Sequence, residues 1–141
     1  MQDNLKRRIM DEMVVDYASA LERNFDLAKR FIRITKDGRV DILVKDKLVV
    51  RDNIALYLIG KLYAREAGFA VSDEVNNEEL LNELGIPSGS LLPGLKELRD
   101  KTIIKTIKRE GLSYHVIQPN VVEKKLREIN ERTERGGRSE N

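Results

Sequence analysis

Few side chains in this 141-residue sequence could carry chemistry. Cysteine is absent and His115 is the one histidine. Thiol catalysis, disulfides, Cys-ligated zinc and a paired-histidine metal site are thereby excluded. His115 stands in an alternating segment with no ligand near it in sequence, and reads as an ordinary strand residue. Glu78, Glu79 and Glu83 could pair as acid and base, but their spacing fits a solvated helix face with capping acids. Ser88-Gly89-Ser90 lacks the flanking pattern of a nucleophile elbow or a phosphate loop and reads as a turn and cap. No enzyme, metal or cofactor is expected. What remains is basic: Lys6-Arg7-Arg8 near the start, and Lys105, Lys108 and Arg109 further on. Such side chains suit phosphate contacts.

Charged residues make up 35% and aromatics 5%, so the core must come from Leu, Ile and Val. The net charge of +2 is unevenly spread. Residues 51–84 hold three cations and seven acids, whereas 85–120 hold six cations and three acids. A basic stretch after an acidic one can mark a nucleic-acid face. No apolar run approaches the ~20 residues of a membrane span. Met-Gln-Asp-Asn-Leu-Lys-Arg-Arg has no apolar stretch behind it like that of a signal peptide. The expectation is a soluble, cytoplasmic protein without a membrane partner, one small domain with helical appendages.

Residues 4–33 lack Gly and Pro and place apolar side chains three and four apart. That pattern predicts one long amphipathic helix capped by Asp3 and ending near Arg30. Asp37-Gly38 between alternating runs predicts a hairpin with strands at 31–36 and 39–45. Asp52 can cap a helix reaching about Ala67 and ended by Gly68. Residues 69–76 read as a loop. Asn76 or Asn77 caps the next helix, with Leu80, Leu81 and Leu84 on its buried face. Gly85 ends it, Ile86 plugs the gap, and Ser88 or Ser90 caps a further helix with Leu91, Leu95 and Leu98 as its stripe. Pro93 fits if Ser90 is the cap, which leaves that helix short. Two strands follow, 103–109 and 112–117, around a glycine turn. Val122, Leu126 and Ile129 mark a short amphipathic C-terminal helix, and 135–141 read as disordered. The divisions are 1–48, 49–119 and 120–141.

The run Glu79-Leu80, Glu83-Leu84-Gly85-Ile86-Pro87, Leu91, Leu95-Lys96-Glu97-Leu98 and the Ile-Ile strand resembles the winged helix-turn-helix superfamily over residues 52–118. The fold expected is α+β, mainly α: a winged helix-turn-helix with a long N-terminal helix, a β-hairpin and a short C-terminal helix. The resemblance implies a protein that binds double-stranded DNA, a small dimeric transcriptional regulator acting by binding alone. Base-facing positions would be Ser88, Gly89, Ser90, Leu92, Pro93 and Lys96, and phosphate contacts would come from Arg99, Lys101, Lys105, Lys108 and Arg109. A homodimer through the N- and C-terminal helices would set half-site spacing. Leu92, Pro93 and Gly94 stand where DNA-binding members carry polar base readers, and Leu81 replaces a small residue usual in the first helix. Leu and Pro cannot hydrogen-bond to purines. The alternative is a protein-interaction module with Leu92-Pro93 in its interface; packing of that pair inside the chain or a dimer is expected otherwise.

Overall fold

The computed structural model describes residues 2–14 and 17–139. Three short helices, α1 (Gln2–Glu12), α2 (Tyr17–Arg23) and α3 (Phe25–Lys29), precede a hairpin of β1 (Ile32–Ile34) and β2 (Val40–Ile42). Then come α4 (Val50–Glu66), β3 (Val75–Asn76), α5 (Asn77–Leu84) and α6 (Ser88–Asp100). The chain closes with β4 (Ile104–Arg109), β5 (Leu112–Ile117) and α7 (Val122–Ser139). The fold is α+β and mainly helical.

The single long helix expected from Asp3 to near Arg30 is instead three. Asn24 is one cause. Its side-chain amide donates to the Ala20 carbonyl at 2.8 Å, and its backbone leaves helical angles. Such local bonds compete with the helix ladder. The side chain of Asp3, expected as a cap, lies outside the described set.

The hairpin forms as expected, with Ile32 opposite Ile42 and Ile34 opposite Val40. Gly38 takes the positive φ (+87°) that its turn needs. The hairpin then lies against α4 at Gly60. A Cβ there would fall 2.4 Å from Val40 Cγ1, so only glycine permits the approach.

Helix α4 is the centre of the molecule. Residues 52–60 are all buried, because α5, α6, α7, the first hairpin and β5 surround it. Asp52 does not cap this helix. Val49 holds the cap position, and Asp52 lies inside the first turn, buried. Burial of a carboxylate demands cations, and Asp52 has two: Lys125 Nζ and Arg132 Nη1, each 3.1 Å away on α7. Gly68, at φ +84°, ends α4 in a Schellman motif, with Phe69 N donating to Ala64 O at 2.9 Å.

Asn76 caps α5, accepting from Glu79 N at 2.8 Å, and left-handed Gly85 ends it. Neither serine caps α6. Pro87 occupies that position without a side-chain bond, and Ser88 and Ser90 fall within the first turn. Pro93 therefore stands inside a 13-residue helix rather than near its start. Leu91, Leu95 and Leu98 are buried as the spacing predicts.

The expected loop at 69–76 contains a strand. β3 pairs with β5, giving a three-stranded antiparallel sheet in the order β3-β5-β4. The β4–β5 turn puts Glu110 and Gly111 at positive φ, +52° and +81°. On α7, Val122, Leu126 and Ile129 are buried against the molecule. The helix continues beyond the expected length, its backbone helical through Ser139, where disorder was expected; Glu140 and Asn141 lie outside the described residues.

Candidate nucleic-acid interface

The residues expected to touch DNA fall on α6 and the β4–β5 hairpin, except Lys101, which caps the end of α6. Helix α6 turns Leu91, Leu95 and Leu98 inward and leaves Ser88, Leu92, Pro93, Lys96 and Arg99 exposed; Ser90 is half-buried. Leu92 is 59% exposed and Pro93 is exposed too, so of the packing expected inside the chain or a dimer, the half within the chain does not occur. The helix face is physically accessible, and an apolar pair sits near its middle.

A chain of polar contacts fixes α6 to the sheet. Arg99 Nη1 donates to Thr106 Oγ1 at 3.4 Å. Thr106 Oγ1 lies 2.9 Å from His115 Nδ1, and His115 Nε2 lies 2.6 Å from Asn77 Oδ1. The Asn77 oxygen can only accept, so His115 carries its proton on Nε2, and Nδ1 accepts from the threonine hydroxyl. His115 is 1% exposed. Burial, then the nearby Arg99 charge, pushes its pKa down to about 4. It is a neutral core group linking β5 to α5 and, through Thr106, to β4 and α6.

The cations divide into two groups. Lys96 is held by Asp100 at 2.9 Å, and Lys101 by Glu97 at 3.3 Å. Arg109 is bound by Glu74 and lies 4.7 Å over the Tyr114 ring. Arg99, Lys105 and Lys108 form no ion pair among the described residues. Strand alternation separates the two lysines. Ile104, Thr106 and Lys108 share one face of the hairpin, while Lys105, Ile107 and Arg109 share the other. Lys101 points away from both, into a cleft beside α7. The predicted cations thus do not make one stripe.

The Glu74–Arg109 pair is not visible in sequence, because the two are 35 residues apart and meet only where β3, which follows Glu74 directly, pairs with β5. The Asp52–Lys125–Arg132 network was likewise missed. Its one sequence signal is the seven-residue spacing of Lys125 and Arg132, two turns apart on one side of a helix.

Among the described residues no group of three His, Asp or Glu is placed to hold a metal ion. No helix among them is long and apolar enough to cross a membrane. No protein-family model, curated protein or solved structure matches the chain.

Proposed function

We propose that residues 50–117 act as a winged helix-turn-helix that binds double-stranded DNA, in a small transcriptional regulator. One observation carries this reading. Three helices, α4, α5 and α6, are followed by the β4–β5 hairpin, and this order supports the resemblance seen in the sequence.

Mechanistically, α6 would lie in or near the major groove, and Lys105 and Lys108 would meet phosphates. Their lack of carboxylate partners leaves their charge available to neutralise phosphate. Affinity would come mostly from phosphates, since Leu92 and Pro93 offer no base hydrogen bonds. Dimerisation would use α1, whose Leu5, Ile9 and Met10 are exposed, with exposed Met13 just beyond it. Helix α7, also expected at the dimer seam, spends its apolar stripe on its own chain.

Fluorescence anisotropy with duplex DNA over ~50–200 mM salt tests the proposal. Wild-type affinity should fall steeply, and Lys105→Ala/Lys108→Ala should reduce the log–log salt slope by about 2. Absence of binding at the lowest salt overturns it.

The second reading is an adaptor domain. It is favoured by exposed Leu92 and Pro93 and by the internal pairing of Lys96, Lys101 and Arg109. In that case Leu92→Glu abolishes partner binding and the lysine variant leaves it intact.

A further inference from the structure

A cleft of about 690 Å³ lies between the start of α4, the end of α6 and one side of α7. Its volume falls in the range of small-molecule sites. Ile103 and Val121 give it an apolar patch. Its polar lining is dominated by positive charge.

Arg51 on α4 and Lys101 after α6 both lean on Glu97, at 3.6 and 3.3 Å. Lys125 and Arg132 lie deeper, held by Asp52 and by Glu128. On the α7 rim, Arg135 Nε donates to the Glu131 carbonyl at 3.4 Å while its Nη2 lies 4.0 Å from the Glu131 carboxylate, and both side chains are largely exposed. Lys124 forms no ion pair among the described residues. Six cations thus face Glu128 and Glu131 on the lining, with Asp52 and Glu97 reaching the same cations, an excess of two positive charges.

The cleft also contains a strained residue. Helix α6 ends in the same Schellman motif as α4: Ile103 N donates to Leu98 O and Thr102 N to Arg99 O, both at 2.9 Å. In α4 the left-handed position is Gly68. In α6 it is Thr102, at φ +56°. A β-branched residue is disfavoured there, and such strain concentrates at ligand sites. Thr102 lines the cleft, and among the described residues its hydroxyl bonds only to the adjacent Lys101 carbonyl, at 2.6 Å. Rotation of one side-chain bond frees it.

We infer that this cleft binds a small organic phosphomonoester. Lys101 and Lys124 contact the phosphate together with the Thr102 hydroxyl, Arg135 attracts the anion from the rim about 16 Å further along α7, and Ile103 and Val121 carry the organic part. A phosphomonoester near neutral pH carries about −1.5 to −2, which matches the surplus. The apolar patch favours an ester over inorganic phosphate. The inference stands apart from DNA binding, because among its phosphate ligands only Lys101 was assigned to that interface.

The test is titration of the full, isotope-labelled chain with adenosine 5′-monophosphate, inorganic phosphate, succinate and a short DNA duplex, read by amide shifts. Adenosine monophosphate should saturate shifts at Thr102, Ile103 and Lys124, and bind more tightly than phosphate or succinate. Lys124→Ala/Arg135→Ala should weaken it at least about tenfold, the loss of a charge-assisted contact or more. Thr102→Gly should weaken it while raising the thermal midpoint, a combination that a merely structural threonine would not give. No saturable shift, equal binding of succinate, or unchanged affinity in either variant overturns the proposal. So does a duplex that shifts these amides when the monophosphate does not, since the phosphate would then belong to nucleic acid.

Discussion

Protonating His115 costs the folded chain more than the unfolded one. The ring is buried, its Nδ1 already accepts from Thr106, and its pKa is pushed down to about 4 from 6.5. Between those pH values the unfolded chain binds a proton that the folded chain refuses. The contribution is therefore complete above about 6.5 and shrinks as pH falls toward 4, with at most about 3 kcal/mol at stake. Urea midpoints at pH 7 and 4.5 check this: His115→Gln should lose less between the two than wild type does. Thr102 makes the opposite kind of prediction. Glycine there relieves the left-handed strain, so Thr102→Gly should stabilise by about 1 kcal/mol in chemical denaturation despite the more flexible unfolded chain. Neither residue was legible as special in sequence. A lone histidine shows no partner, and left-handed backbone is expected only at Gly, Asn or Asp.

Helices and strands were legible where a local rule decided them. Asp37-Gly38, the stripe Leu91-Leu95-Leu98 and the Asn76 cap each follow from neighbours in sequence, and each is where the spacing places it. The misreadings came from contacts that spacing cannot reveal. β3 exists because β5 offers it an edge, pairing Val75 with His115 and Asn76 with Tyr114. Asp52 has the chemistry of a cap but is drawn one turn inward by cations more than 70 residues away. Pro93 predicts a late helix start that spares the ladder, yet α6 begins at Ser88 and tolerates the missing bond to Gly89 O. Leu91 is buried in the core and Gly94 lies against Ile54 and Val50 of α4, which holds the start of α6 in place. Pro93→Ala restores that bond and should stabilise the domain by about 1–3 kcal/mol. Thermal melts of the two proteins measure it, and an unchanged midpoint would mean the proline ring contributes something the exposed face does not show.

The parts are held together by polar ties as well as the core. Asp52 joins the central helix to the last one, and its side chain is 2% exposed, Lys125's 4%. Removing one partner of a buried pair leaves an uncompensated charge and typically costs 3–5 kcal/mol. Asp52→Asn should therefore destabilise by about that much. Lys125→Met should cost less, because Arg132 still balances the carboxylate. Equilibrium urea unfolding distinguishes the two; equal losses would show that Arg132 does not share the charge. Near the other end of α4, Tyr63 Oη donates to Leu21 O at 2.6 Å and ties in the N-terminal helices, while Lys61 binds Gly38 O at 3.1 Å and anchors the hairpin turn.

Gly60 sets a limit on how this gene could be rearranged. The hairpin rests on bare helix backbone, closer than any side chain would allow. A crossover that cut the coding sequence at residue 48 would leave α4 with a groove shaped for Val40 and Ile32 and nothing to fill it. A replacement segment would have to bring a hairpin of the same depth, or the glycine would have to mutate at the same time. The smallest heritable unit therefore begins upstream of the hairpin, and descendants of this fold should keep or lose Gly60 and Val40 together.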